Sequence, residues 1–255
     1  METDYLGLLI GIAFFAGAVD SIAGGGGLIT LPSLLFAGVP PALALGTNKF
    51  LGTCGGIVAV FNFARKKLIN WRLFFGAVWL TLLGGFLGSR AILLFDPESI
   101  QVLILLCLPF AVGSLFLKPV GHQVAKVAHE KPKTGLLALG MGFYDGFFGP
   151  GTGTFLTVGL HHVLGFNLVH ATALAKPFNV VSSLAALVIF VFYGKVLWSL
   201  AIPLAIASML GNWAGSHLAM KQGALLVRRA LLGVCILLFV SLAIRLSLVY
   251  EWLSY

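Results

Sequence analysis

The chain has 255 residues, 59% of them hydrophobic and only 9% charged, with a mean hydropathy of +1.04. A soluble domain carries about 25% charged residues, so a soluble enzyme is excluded and an integral membrane protein is indicated. The net charge of +8 lies in short connections between apolar stretches, the positive-inside pattern of a membrane protein and not a nucleic-acid patch. Cys54, Cys107 and Cys235 stand apart, with no CxxC or Cys/His cluster, which argues against a disulfide framework or a zinc site.

Taken in order, the apolar periodicity predicts helices over 5–19, 28–37, 43–63, 73–95 and 99–117, then over 135–146, 153–164, 168–192, 197–218 and 228–249. The second helix of each set is too short to cross roughly 30 Å of hydrocarbon alone. Each follows a glycine-dense break: Asp20-Ser-Ile-Ala-Gly24-Gly25-Gly26-Gly27 in the first half, Asp145-Gly-Phe-Phe-Gly149-Pro150-Gly151-Thr152-Gly153 in the second. The expected fold is an all-α polytopic membrane protein of two repeats, each with a glycine-broken re-entrant helix pair plus three membrane-spanning helices. Residues 1–117 form the first transmembrane repeat, 118–134 a basic cytoplasmic linker, and 135–255 the second repeat. Broken helices at membrane depth are tolerated where they are buried in protein or line a wet cavity.

The halves align on themselves. Asp20 and Asp145 are 125 residues apart, Lys49 and Lys176 are 127, and Cys107 and Cys235 are 128; Gly84, Gly88 and Ser89 match Gly211, Gly215 and Ser216. Basic connections hold Arg65, Lys66, Lys67 and Arg72, then Lys118, Lys126, Lys131 and Lys133, then Lys221, Arg228 and Arg229. Placing all three in the cytoplasm makes the repeats inverted and both termini periplasmic. Counting each broken pair as one crossing makes them parallel instead. Tyr5, Trp71, Trp198, Tyr250 and Trp252 read as interfacial anchors, and the small-xxx-small glycines as close helix contacts.

The chemistry concentrates at the breaks. A helix N-terminus offers unpaired N–H groups and partial positive charge to an anion, and glycine lets main chain approach a ligand closely. The candidate substrate-binding residues are therefore Gly25, Gly26 and Gly27, with Gly151, Thr152 and Gly153. To these are added Thr47, Asn48 and Lys49, and Lys176 and Asn179. The lysines could instead snorkel to the interface. Asp20 and Asp145 are expected to cap the break, pair with a lysine, or carry a proton. His161, His162 and His170 lack acidic partners at ligand spacing and read as surface loop residues; His122 and His129 fall in the basic linker. No metal or cofactor is expected. No P-loop, Ser/His/Asp set or His-Glu-x-x-His motif is present, so neither ATP hydrolysis nor intramembrane catalysis is expected.

The segment Asp20–Gly27 with Ala44-Leu-Gly-Thr-Asn-Lys49, and the segment Gly142–Gly151 with Ala171-Thr-Ala-Leu-Ala-Lys176, resemble the paired motifs of the TauE/SafE family of sulfite exporter-like membrane proteins. The resemblance covers essentially the whole chain. It implies a bacterial inner-membrane permease that exports small sulfur-containing or organic anions. The expectation is a secondary transporter coupled to protons, working with the lipid bilayer and no nucleic acid. The alternatives are a passive anion channel, or a divalent-metal permease using Asp20, Asp145 and the histidines. Lys49→Ala and Lys176→Ala are expected to weaken anion binding while leaving folding nearly intact.

Overall fold

Glycine placement sets where most of the helices stop. The structure, a computed structural model, describes residues 3–96 and 131–223 and a few isolated positions beyond them. Eight helices occupy that range: α1 Thr3–Ala23, α2 Gly27–Phe36, α3 Pro41–Arg65, α4 Trp71–Ile92, α5 Lys131–Phe147, α6 Thr152–Leu164, α7 Leu168–Phe192 and α8 Trp198–Gln222. The segments expected at 99–117 and 228–249, most of the linker, Cys107, Cys235 and two histidines (His122 and His129) lie outside the described residues.

Local chemistry explains the boundaries. α3 opens on Pro41, whose fixed φ suits a first turn. Asn70 and Asn167 cap α4 and α7 by accepting from the amides of Leu73 and His170, at 3.2 and 2.9 Å. α6 ends at Gly165 in the left-handed conformation. The breaks fall at Gly24 (φ +77°) and at Gly149 and Gly151 (φ +95° and +85°), backbone that side chains other than glycine rarely adopt.

Four helices are long and apolar enough to cross a membrane, with spans at Leu6–Ala23, Pro41–Arg65, Trp71–Ile92 and Leu168–Phe192. This corrects one expectation. α1 does not stop near residue 19 but continues to Ala23, so the first half has a full-length helix followed by a short one, not two short helices. No left-handed glycine intervenes before Gly24, and each aspartate consequently sits in the last turn of the helix before its break. Large apolar side chains such as Trp79, Phe75, Phe192 and Ile206 are exposed, whereas Thr47, Lys49, Asp145, Lys176 and Asn212 are buried. That inside-out distribution suits a lipid surround.

The order of contacts fixes the direction of each helix. Phe14 and Ala18 of α1 meet Gly211 and Gly215 of α8, while Leu51, Gly55 and Asn62 of α3 meet Ser208, Asn212 and Ser216. The sequence numbers rise together, so α1, α3 and α8 run one way. Thr81, Gly85 and Gly88 of α4 meet Gly142, Gly146 and Phe147 of α5, and Phe74 and Gly85 meet Phe178 and Ser182 of α7. These three also run together. Between α3 and α7 the order reverses, Gly46 lying against Phe190 and Gly56 against Val180, so the two sets are antiparallel.

The small-xxx-small glycines make close contacts with neighbouring main chain. A Cβ at Gly88 would strike the carbonyl oxygen of Phe143, and one at Gly211 the carbonyl oxygen of Phe14. Main chain cannot yield as a flexible side chain can, so Gly88→Val and Gly211→Val are expected to lower stability by about 1–3 kcal/mol or more. Nothing surrounds a Cβ at Gly76 on the same α4, and Gly76→Ala is expected to be neutral or stabilising by up to about 1 kcal/mol. Thermal unfolding in detergent checks all three.

Candidate functional site

At the breaks the two halves touch through main chain. Gly24 lies directly on Gly153 and Thr154, leaving no room for a side chain at either glycine, and Thr154 Oγ1 donates to the Ala23 carbonyl at 2.6 Å. The starts of α2 and α6 are thereby brought beside each other. Pro150 lies against Gly27, and Leu28 against Gly151.

Beside this contact is a cavity of about 40 Å³ open to water-sized bodies. As about 10–15 Å³ of such space holds one water, it accommodates a group of only a few heavy atoms. Its wall includes Asp20, Gly26, Gly27, Asn48, Lys49, Asp145, Gly151 and Asn179, eight of the residues anticipated from sequence. Gly25, Thr47, Thr152, Gly153 and Lys176 do not line it. Thr47 instead accepts from the amide of Leu197 at 3.0 Å, the Thr152 hydroxyl donates to the Gly149 carbonyl at 2.6 Å, and the Gly25 carbonyl accepts from the Leu28 amide at 3.1 Å. Thr30, Ser183 and Ser208 line the cavity without having been anticipated. Single hydroxyls in apolar helices carry no sequence signal that separates a cavity wall from internal backbone bonding.

The lysines do not snorkel. Lys49 and Lys176 are buried, and each meets an aspartate of the other half: Lys49 Nζ to Asp145 Oδ1 at 2.9 Å, Lys176 Nζ to Asp20 Oδ2 at 2.8 Å. Lys49 also donates to the main-chain carbonyl of Asp145 and passes over Gly149, where a Cβ would collide with its ammonium. Ser182 and Ser183 donate to Asp145 Oδ2 at 2.7 and 2.9 Å, with Asn179 at 3.5 Å from Oδ1. Asp20 Oδ1 accepts from the amide of Gly26, at the N-terminus of α2, at 3.3 Å. The aspartates thus pair with lysine, and Asp20 also caps its break.

Residues 9–242 match the sulfite exporter TauE/SafE family. The chain belongs to that family. Named relatives are membrane transporters: a probable transporter of Haemophilus influenzae is 39% identical over 88% of this chain and 89% of its own. ORF9 of a Sinorhizobium species is 38% identical over 94% and 92%, and YfcA of Escherichia coli 36% over 88% and 84%. No solved structure matches.

For a TauE/SafE protein the pairing changes what the lysines can offer. Each ammonium is already neutralised, so an incoming anion must compete with a carboxylate. The histidines stay apart from this exchange. His161 bonds the Phe166 carbonyl, His170 bonds Asn167, and neither they nor His162 line the cavity. Among the described residues no three metal-ligating side chains converge.

The expectation that Lys49→Ala would leave folding nearly intact is therefore revised. Removing one partner of a buried pair strands the other charge, typically at roughly 3–5 kcal/mol. Lys49→Ala is expected to lower thermal stability on that scale. Lys49→Met combined with Asp145→Asn leaves an amide oxygen for Ser182 and Ser183, and should recover most of the loss in the same unfolding measurement.

Proposed function

We propose that this protein is a secondary transporter that exports small anions, sulfite or organosulfur and organic anions, across the bacterial inner membrane in step with protons, the outward anion gradient driving export. The observation that carries the reading is the cavity itself: two helix N-termini, one buried ammonium and two carboxylates around a space sized for a few heavy atoms. Backbone amides of α2 and α6 suit anion oxygens, and Lys49 supplies the full charge. Adding an anion to a balanced site leaves net negative charge in a poor dielectric unless a proton enters with it. The aspartates are placed to take that proton.

Inverted repeats supply the means of movement. α1 and α3 run together, leaving only the ten residues of α2 to bring the chain back between them, as a re-entrant pair requires. α5, α6 and α7 repeat the arrangement in the opposite direction. Rocking one such unit against the other would expose the cavity to alternate sides. The same directions gather Arg65, Arg72 and Lys221 at one end of the helices and leave Arg90 and Lys195 at the other. The basic end is then cytoplasmic and the start of α1 periplasmic.

A thermal-shift screen of purified protein tests the substrate class, with sulfite, sulfate, thiosulfate, sulfonates, carboxylates and divalent metals in parallel. A ligand at 100 times its Kd stabilises by about 2.7 kcal/mol. Stabilisation by one anion class is expected, and its loss in the Lys49→Met/Asp145→Asn variant. Stabilisation by metals alone would replace the anion with a cation held by the aspartates. In proteoliposomes an imposed proton gradient is expected to drive sulfite uphill; flux indifferent to the gradient would make the protein a passive channel.

A further inference from the structure

Two aspartates occupy matching places, yet their surroundings differ sharply. Three, six and seven residues beyond Lys176 stand Asn179, Ser182 and Ser183; the same steps beyond Lys49 reach Gly52, Gly55 and Gly56. The consequence is direct. The Asp145 carboxylate is held by four side chains, Lys49, Asn179, Ser182 and Ser183. The Asp20 carboxylate has Lys176 and one long bond from the Gly26 amide. The Asp145 side chain is 3% exposed and that of Asp20 13%, and both line the cavity. Where Asn179 fills the wall near Asp145, Gly52 contributes no side chain, and nothing lies within 4 Å of its missing Cβ.

We propose a division of labour: Asp20 is the carboxylate that takes up and releases the proton, while Asp145 is a fixed counter-charge that positions Lys49. The inference rests on the transport reading above and deepens it. Protonating Asp145 would weaken a contact with an ammonium and leave two hydroxyls and an amide to find new acceptors. Protonating Asp20 weakens one ion pair and one long bond.

The uptake adds one proton to an Asp20 oxygen and breaks no covalent bond. It removes the negative charge that holds both the Lys176 ammonium and the Gly26 amide, and leaves the Gly26 amide on the cavity wall without its acceptor. The charged groups facing it among the described residues are Lys176 from α7, with Lys49 from α3 and Asp145 from α5 across the cavity. The elements packed on α1 bring neutral groups: Gly26 at the N-cap of α2 and Thr30 within it, Gly153 from α6, Ser208 and Asn212 from α8. His217 of α8 is bonded to Asn62 and to the Trp213 carbonyl.

Infrared difference spectroscopy of the purified full chain, titrated from about pH 8 to about pH 3, tests the assignment without any substrate. Two charge-balanced variants are compared with the wild type: Asp20→Asn with Lys176→Met, and Asp145→Asn with Lys49→Met. A buried protonated-carboxyl band is expected to grow on acidification, to vanish in the Asp20 variant and to persist in the Asp145 variant. If the Asp145 variant does not fold, Ser182→Ala with Ser183→Ala replaces it, and its band is expected to vanish when the Asp20 and Lys176 changes are added. A band that survives in the Asp20 variant, or no buried band in the wild type, overturns the proposal. Failure of sulfite to bind or to move protons would sink the transport reading and leave the assignment standing. Sulfite-driven proton flux that persists in the Asp20 variant would do the reverse.

Discussion

A lysine ammonium buried among apolar helices needs a counter-charge in contact, because the solvent that would otherwise stabilise it is gone. Here that requirement is met twice, and each time across the chain's midpoint. Lys49 finds Asp145 and Lys176 finds Asp20. For both contacts to form, α1 must lie against the second half and α5 against the first, the packing that the glycine faces of α8 and α4 allow. The bare main-chain contact of Gly24 with Gly153 follows from the same geometry. Charge neutralisation thus fixes how the halves clasp, and glycine makes the clasp tight enough.

The site combines firmness and looseness in a useful proportion. On one side, hydroxyls and an amide pin a carboxylate, which in turn aims an ammonium into the cavity. On the other, glycines leave a carboxylate with little company. A transporter needs both, since a ligand must be recognised by groups that do not move and released by one that does. Sequence-level symmetry between the halves conceals this difference, which arises from three positions in α7 and their glycine counterparts in α3.

Much of the architecture was legible in the sequence. The starts of α2, α6 and α7 fall within a residue of expectation because glycine density and Asn capping act locally. The end of α1 was misplaced because density alone does not reveal which glycine turns left-handed; only Gly24 does so before α2. Burial of Lys49 and Lys176 could be suspected from their matched positions. Their partners could not be read off, since pairing across 96 and 156 residues depends on how helices stack and leaves no local pattern. Thr30, Ser183 and Ser208 escaped notice for the same reason.

Those same separations impose an order on biogenesis. Translation delivers Asp20 to the membrane 156 residues before Lys176, and Lys49 96 residues before the Asp145 carbonyl it also contacts. Throughout that interval the nascent first half carries two charges whose permanent partners have not been made. Those charges must remain hydrated, pair provisionally with each other, or be sheltered by the insertion machinery. The clasp between the halves can therefore close fully only once α7, which carries Lys176, has been made.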